Sequence, residues 1–115
     1  MVIRDEQMST FTNEAAEDFK SRMVIHLKKC FPKECEALKE AGVRRLIQHG
    51  IDQASGHEVV AERDVCKFID LMMVFGRDFD TELAWASQIL KDRVVRSATA
   101  RVDRLFMTAK EKQAG

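Results

Sequence analysis

Apolar residues recur at steps of three and four along most of this chain, the spacing of one face of a helix. Phe19, Met23, His26, Leu27 and Cys30 share such a face. They fall in a helix predicted over residues 4–31, with a break near Thr12 and Asn13, either of which can cap a new start. Pro32 ends it, because proline disfavours a helical residue before it, and can itself open a short helix over residues 32–39. Ala41-Gly42 reads as a hinge. Val43, Leu46, Ile47, Gly50, Ile51 and Ala54 form the next stripe, with Arg44, Arg45, Gln48 and Asp52 opposite and Gly56 placed as the C-terminal cap.

Residues 62–75 predict a central helix. Val65, Phe68, Ile69, Met72 and Met73 make its stripe, and Cys66, Leu71 and Val74 widen it. A helix apolar over most of its circumference is packed on several sides. Gly76 stops it. Thr81 is placed to cap a helix through Trp85, Ile89 and Leu90. A last helix over residues 97–112 packs through Ala98, Val102, Leu105, Phe106 and Ala109. Residues 1–3 and 113–115 are expected to fray. No stretch alternates as a strand, and no segment repeats. The expectation is an all-α, compact single-domain bundle of five or six helices over residues 1–115, with short loops favouring antiparallel neighbours.

Composition narrows the functional classes. The formal net charge is +0, which argues against nucleic acid as the main partner, because phosphate binding needs a surplus of Lys and Arg on one face. A neutral surface favours association, with another protein or as a homodimer. The N-terminus is polar almost from the start, and the longest apolar run, residues 68–75, is interrupted by Asp70. It falls far short of the ~20 residues of a membrane span. A cytoplasmic protein is expected, without a secretory signal or a membrane partner. Cys30, Cys35 and Cys66 lack close C-x-x-C spacing and sit beside apolar positions, so buried, reduced thiols are the simplest reading.

Three features carry candidate chemistry. His26 and Cys30 are four residues apart on one helical face and could ligate a metal. Two further ligands would be needed, and nothing in the spacing makes His49, His57, Cys35 or Cys66 converge on them. A packed histidine with one hydrogen bond is preferred, and no metal or other cofactor is expected. Asp70 interrupts the central helix. It belongs either to a solvated stripe with Glu62, Arg63 and Lys67, the reading slightly favoured, or to an internal pair with Arg101 or Arg104.

The third feature is the turn at residues 76–81. Gly76, Asp78, Asp80 and Thr81 are read as turn and capping residues, and Phe79 as a staple onto Leu83 or Ala84. The turn lacks the spaced oxygen ligands of an EF-hand. Arg77, Phe79 and Trp85 either serve the core or face a partner, since Trp and Arg are enriched at binding hot spots. No Gly-rich phosphate loop, nucleophile elbow or zinc-protease helix is present, and no catalytic residue is assigned.

The pairs Phe31-Pro32, the run at 61–72, the run at 74–80, Trp85-Ala86 and Ile89-Leu90 together resemble a group of small bacterial helical proteins. Those proteins are encoded in type VI secretion effector clusters, near the adaptor-type chaperones that load toxins onto the secretion spike. The likeness spans about residues 7–106. Its most specific part is the Phe-Gly-x-Asp-Phe-Asp turn with the Trp-Ala that follows. Similar proteins often carry a proline-containing stretch between that turn and the Trp. Here it reads Thr-Glu-Leu-Ala, which leaves the helix start there open.

The resemblance implies an accessory, co-chaperone-like role, binding an effector or its adaptor before export, and supplies no catalytic residues. The function expected is thus a non-enzymatic protein-binding module, with Met72, Phe75, Arg77, Phe79 and Trp85 as the contact residues. The alternative is an immunity protein that neutralises a neighbouring toxin.

Overall fold

The computed structural model describes residues 13–92 and 94–114. Six helices follow in order: α1 (Asn13–Cys30), α2 (Pro32–Gly56), α3 (Glu62–Phe75), α4 (Phe79–Glu82), α5 (Ala84–Leu90) and α6 (Ala98–Ala114). They form one all-α bundle, with no strand among the described residues. No described helix is long and apolar enough to cross a membrane. The predicted helix start at residue 4 and the cap at Thr12 lie outside the described residues.

α3 is the centre. It packs on α2 at one side and on α6 at the other, while α1 lies against α2 and α3. The molecule measures 41 × 39 × 19 Å, so it is about two helix diameters thick. Val65, Phe68 and Ile69 of α3 are fully buried among Leu27, Ile47, Val102 and Leu105 from the surrounding helices. This is the environment expected for a helix apolar on most sides.

α2 is kinked. Lys39 has φ 65° and ψ 170°, so residues 32–38 and 40–56 are separate helical stretches. The expected hinge at Ala41-Gly42 lies two residues too late. Its cause is a break in the backbone at an exposed lysine, not the glycine.

The end of α2 also differs from expectation. Gly56 is still helical, and the left-handed residue is Glu58, φ 66°. Val59 N–H donates to the Ala54 carbonyl at 2.8 Å and Glu58 N–H to that of Ser55 at 2.9 Å, the paired bonds of a Schellman ending. Val59, 1% exposed, anchors the motif in the core. Glycine normally fills the left-handed place; here the Glu58 carboxylate lies 3.7 Å from the buried Arg101 guanidinium.

α6 starts where predicted. The Ser97 hydroxyl accepts from Ala100 N–H at 3.2 Å, a side-chain N-cap. The helix continues through Gln113 and Ala114, which were expected to fray.

Candidate functional site

The acidic turn after α3 faces inward. Gly76 ends α3 with φ 111° and donates its N–H to the Met72 carbonyl at 2.9 Å. Asp78 and Asp80 do not cap a helix through their side chains. Asp78 accepts from His49 Nε2–H at 3.0 Å. Asp80 accepts from His57 Nε2–H at 2.9 Å and from the Gln53 amide at 3.1 Å. The carboxylates therefore fasten the turn to α2. Thr81 does not cap α5 either; it sits inside α4, and its hydroxyl donates to the Asp78 carbonyl at 3.2 Å. Leu83 occupies the N-cap place of α5 and supplies no side-chain bond.

The expected contact residues divide. Met72 and Phe79 are 2% and 0% exposed, so both are core residues and present no surface to a partner. Phe79 packs against Phe68 with ring centroids 5.0 Å apart. Phe75 and Trp85 are half-buried and meet edge to face at 5.4 Å. The Lys112 ammonium lies 6.0 Å from the Trp85 ring. Of the five, only Arg77 is exposed.

Two further buried polar groups take partners that the sequence did not indicate. Arg101, 2% exposed, donates to the carbonyls of Val95, Arg96 and His57 at 2.8, 3.0 and 3.3 Å. It ties the loop before α6 to the end of α2. Asp64, also 2% exposed, accepts from the Thr99 hydroxyl at 2.6 Å. Asp70 pairs with neither of the arginines considered for it. Arg104 lies 3.4 Å from Asp92 instead.

Asp70 faces α1. His26 Nε2 lies 2.9 and 3.2 Å from its two carboxylate oxygens. Burial pushes the Asp70 carboxyl up, and the nearby His26 offsets that only in part. On the other side of the ring, Cys30 Sγ lies 3.9 Å from Nδ1. Cys66, one turn before Asp70 on α3, completes the group. One ligand atom each from His26, Cys66 and Asp70 lie within 4.8 Å of one another.

Burial, then the Asp70 charge, then Cys30 push the Cys66 thiol up to about 11. The cluster is thus two i, i+4 pairs, His26 with Cys30 on α1 and Cys66 with Asp70 on α3. The first pair is visible in the sequence as His and Cys on one helical face; the second shares the same four-residue step on α3. The three cysteines are not alike either: Cys35 is buried, Cys66 half-buried and Cys30 exposed, so uniformly buried thiols do not describe this chain.

Two depressions flank the cluster, one between α1 and α3 and the other between α3 and α6 beside the end of α1. One, of about 350 Å³, is lined by Phe19, Arg22, Met23, His26, Glu62, Arg63 and Cys66. The other, of about 160 Å³, has Phe31, Leu71, Val74, Phe106 and Ala109 as its apolar wall, with Cys30, Asp70 and Lys110 at its edge. Most of these wall residues were assigned to the core from periodicity. The signal for a surface site was Val74, which widens the apolar stripe of α3 beyond what neighbours cover. The chain matches no protein-family model, no curated protein and no solved structure, which leaves side-chain geometry to carry the functional reading.

Proposed function

We propose that this chain is a non-enzymatic protein-binding module, and that its partner docks on the apolar depression walled by Phe31, Leu71, Val74, Phe106 and Ala109. One observation carries this reading. One row of α3 runs through Arg63, Lys67 and Asp70, all charged, exposed at Arg63 and half-buried at the other two, and the next residue in that row is a valine 38% exposed. A charged row turns apolar where the depression opens. At about 160 Å³ the space suits one or two partner side chains. It is smaller than the roughly 300–1,000 Å³ of ordinary small-molecule pockets.

The partner class follows from the family likeness: a type VI secretion effector or the adaptor that loads it, held in the cytoplasm before export. Phe75, Arg77 and Trp85 stay as secondary contact candidates outside the depression, since each reaches solvent. The test is co-expression with a type VI secretion effector and its adaptor taken from the genes neighbouring this one, followed by affinity purification. Wild type should co-elute with one of them, and Val74→Glu should not, with the circular dichroism of the two forms alike. A chain that elutes alone in every pairing, and adds no thermal shift on mixing, refutes the reading. Rescue of cells that express the toxin would replace it with an immunity role.

A further inference from the structure

We propose that His26, Cys66 and Asp70 form a three-ligand site for one zinc-class divalent cation on the α1–α3 face, with Cys30 behind the imidazole and the fourth coordination position open. The spacing is the first support. A tetrahedral ion with bonds of ~2.0–2.3 Å holds its ligand atoms roughly 3.3–3.8 Å apart. Here Nε2 and the two Asp70 oxygens are already 2.9 and 3.2 Å apart, and the whole group lies within 4.8 Å. Closing the remaining gap takes side-chain rotation of about 1 Å, well within the freedom of a half-buried cysteine.

The donor set is the second support. One thiolate, one imidazole and one carboxylate select a borderline ion such as zinc over magnesium or calcium, which want oxygen alone. Charge is the third. A Cys66 thiolate and an Asp70 carboxylate carry two negative charges, which a divalent cation cancels. A half-buried site then holds no net charge, so the desolvation that disfavours each anion alone is relieved.

Cation binding moves protons in a defined way. The Cys66 thiol releases its proton to solvent. The imidazole stays neutral, with its proton on Nδ1 in place of Nε2. That proton then faces Cys30 Sγ, 3.9 Å away. A hydrogen-bonded partner on the distal nitrogen is what fixes the ring of a ligating histidine. Both flanking depressions reach the cluster, one at His26 and Cys66 and the other at Asp70, so the site has an entry path. A His26–Asp70 hydrogen bond by itself explains neither the placement of Cys66 beside the pair nor that of Cys30 behind it.

Cobalt(II) titration of the reduced full chain tests the site. Wild type should bind one equivalent and develop a sulfur-to-cobalt charge-transfer band together with the intense visible bands of a four-coordinate ion, all abolished by zinc. Cys66→Ser should lose the charge-transfer band. His26→Ala and Asp70→Asn should weaken binding at least about tenfold, and Cys30→Ser should weaken it while keeping the band. Cys35→Ser should change nothing, because Cys35 is buried on α2. Circular dichroism of each variant shows that it is folded. Absence of the band in wild type overturns the proposal, as does its persistence in a folded Cys66→Ser. Val74→Glu should keep the cobalt spectrum while losing the partner, so failure of the docking reading and failure of the metal site are separable.

Discussion

Gly50→Ala should destabilise this protein although alanine is the better helix former. Gly50 is buried in α2 where it crosses α3. A Cβ there would lie 2.6 Å from Ile69 Cγ1, 2.9 Å from Met72 Sδ and 3.2 Å from Ile69 Cδ1. Carbon atoms rest about 3.5–4.0 Å apart, so the first overlap is roughly 1 Å. The methionine end can yield. Ile69 cannot: it is fully buried, and its branched Cβ allows few rotamers in a helix. The helices must separate, or Ile69 must leave its rotamer, at about 1–3 kcal/mol.

Against this stands the propensity gain of alanine, about 1 kcal/mol. The net expectation is a loss centred on about 1 kcal/mol and at most about 2 kcal/mol, with Tm falling by roughly 4–8 °C for each kcal/mol lost. Urea denaturation followed by Trp85 fluorescence measures it, since the chain has a single tryptophan. Gly56→Ala is the internal control. It is helical and would meet nothing within 4 Å, so it should gain stability, by up to about 1 kcal/mol. In an Ile69→Ala background the Gly50→Ala loss should largely vanish, because the pair are coupled through one contact. If Gly50→Ala matches Gly56→Ala in sign, the close approach of α2 and α3 is wrong.

Three further outcomes are expected. Asp80→Ala strips the acceptor from His57 and Gln53 in a fully buried place and should lose about 2–4 kcal/mol in urea denaturation; a loss under about 0.5 kcal/mol would contradict the inward turn. Lys39→Gly should raise stability by about 1 kcal/mol, because φ 65° with ψ 170° is a conformation only glycine adopts freely; a lower Tm would mean that the kink is not strained. Brief alkylation of the native, metal-free protein, read by intact mass and peptide mapping, should mark exposed Cys30 first and buried Cys35 only on unfolding, since burial pushes the Cys35 thiol up; early labelling of Cys35 would place it wrongly in the core.

Helix identity was legible because it rests on local periodicity. α3 ends at Phe75 as read, since Gly76 accepts a positive φ that other residues resist. The kink and the C-terminal end of α2 were less legible. A lysine and a glutamate hold the positive-φ places there, against the usual preference for glycine, so composition pointed to Gly42 and Gly56 instead. Side-chain partners were mostly illegible, because they join residues far apart in sequence. Each of the three histidines donates Nε2–H to an aspartate, with separations of 44, 29 and 23 residues. No local spacing encodes such pairs. Asp70 met His26 instead of an arginine because α1, not α6, supplies the polar group facing that turn of α3.

These pairings bear on where function sits. The aromatic and acidic turn was the least ordinary stretch of the sequence, and for that reason it drew the expected contact residues. Folding alone accounts for most of it. Phe79 fills the core against Phe68, Asp78 and Asp80 hold the turn to α2, and Gly76 supplies the backbone conformation. A residue whose type is already demanded by packing gives no separate reason to assign it a partner. The surface of α3 beside α1 and α6 is the reverse case. Val74, 38% exposed, forgoes part of the folding free energy that full burial would give, and the desolvated Asp70 carboxylate opposes folding in its charged form. Residues that folding does not require, and partly opposes, are where a ligand or partner is the more economical explanation. On that ground the cation site lies between α1 and α3 and the docking surface beside it, between α3 and α6, and variants at Val74 and Cys66 should affect binding more than stability, whereas Asp80 and Phe79 variants should do the opposite.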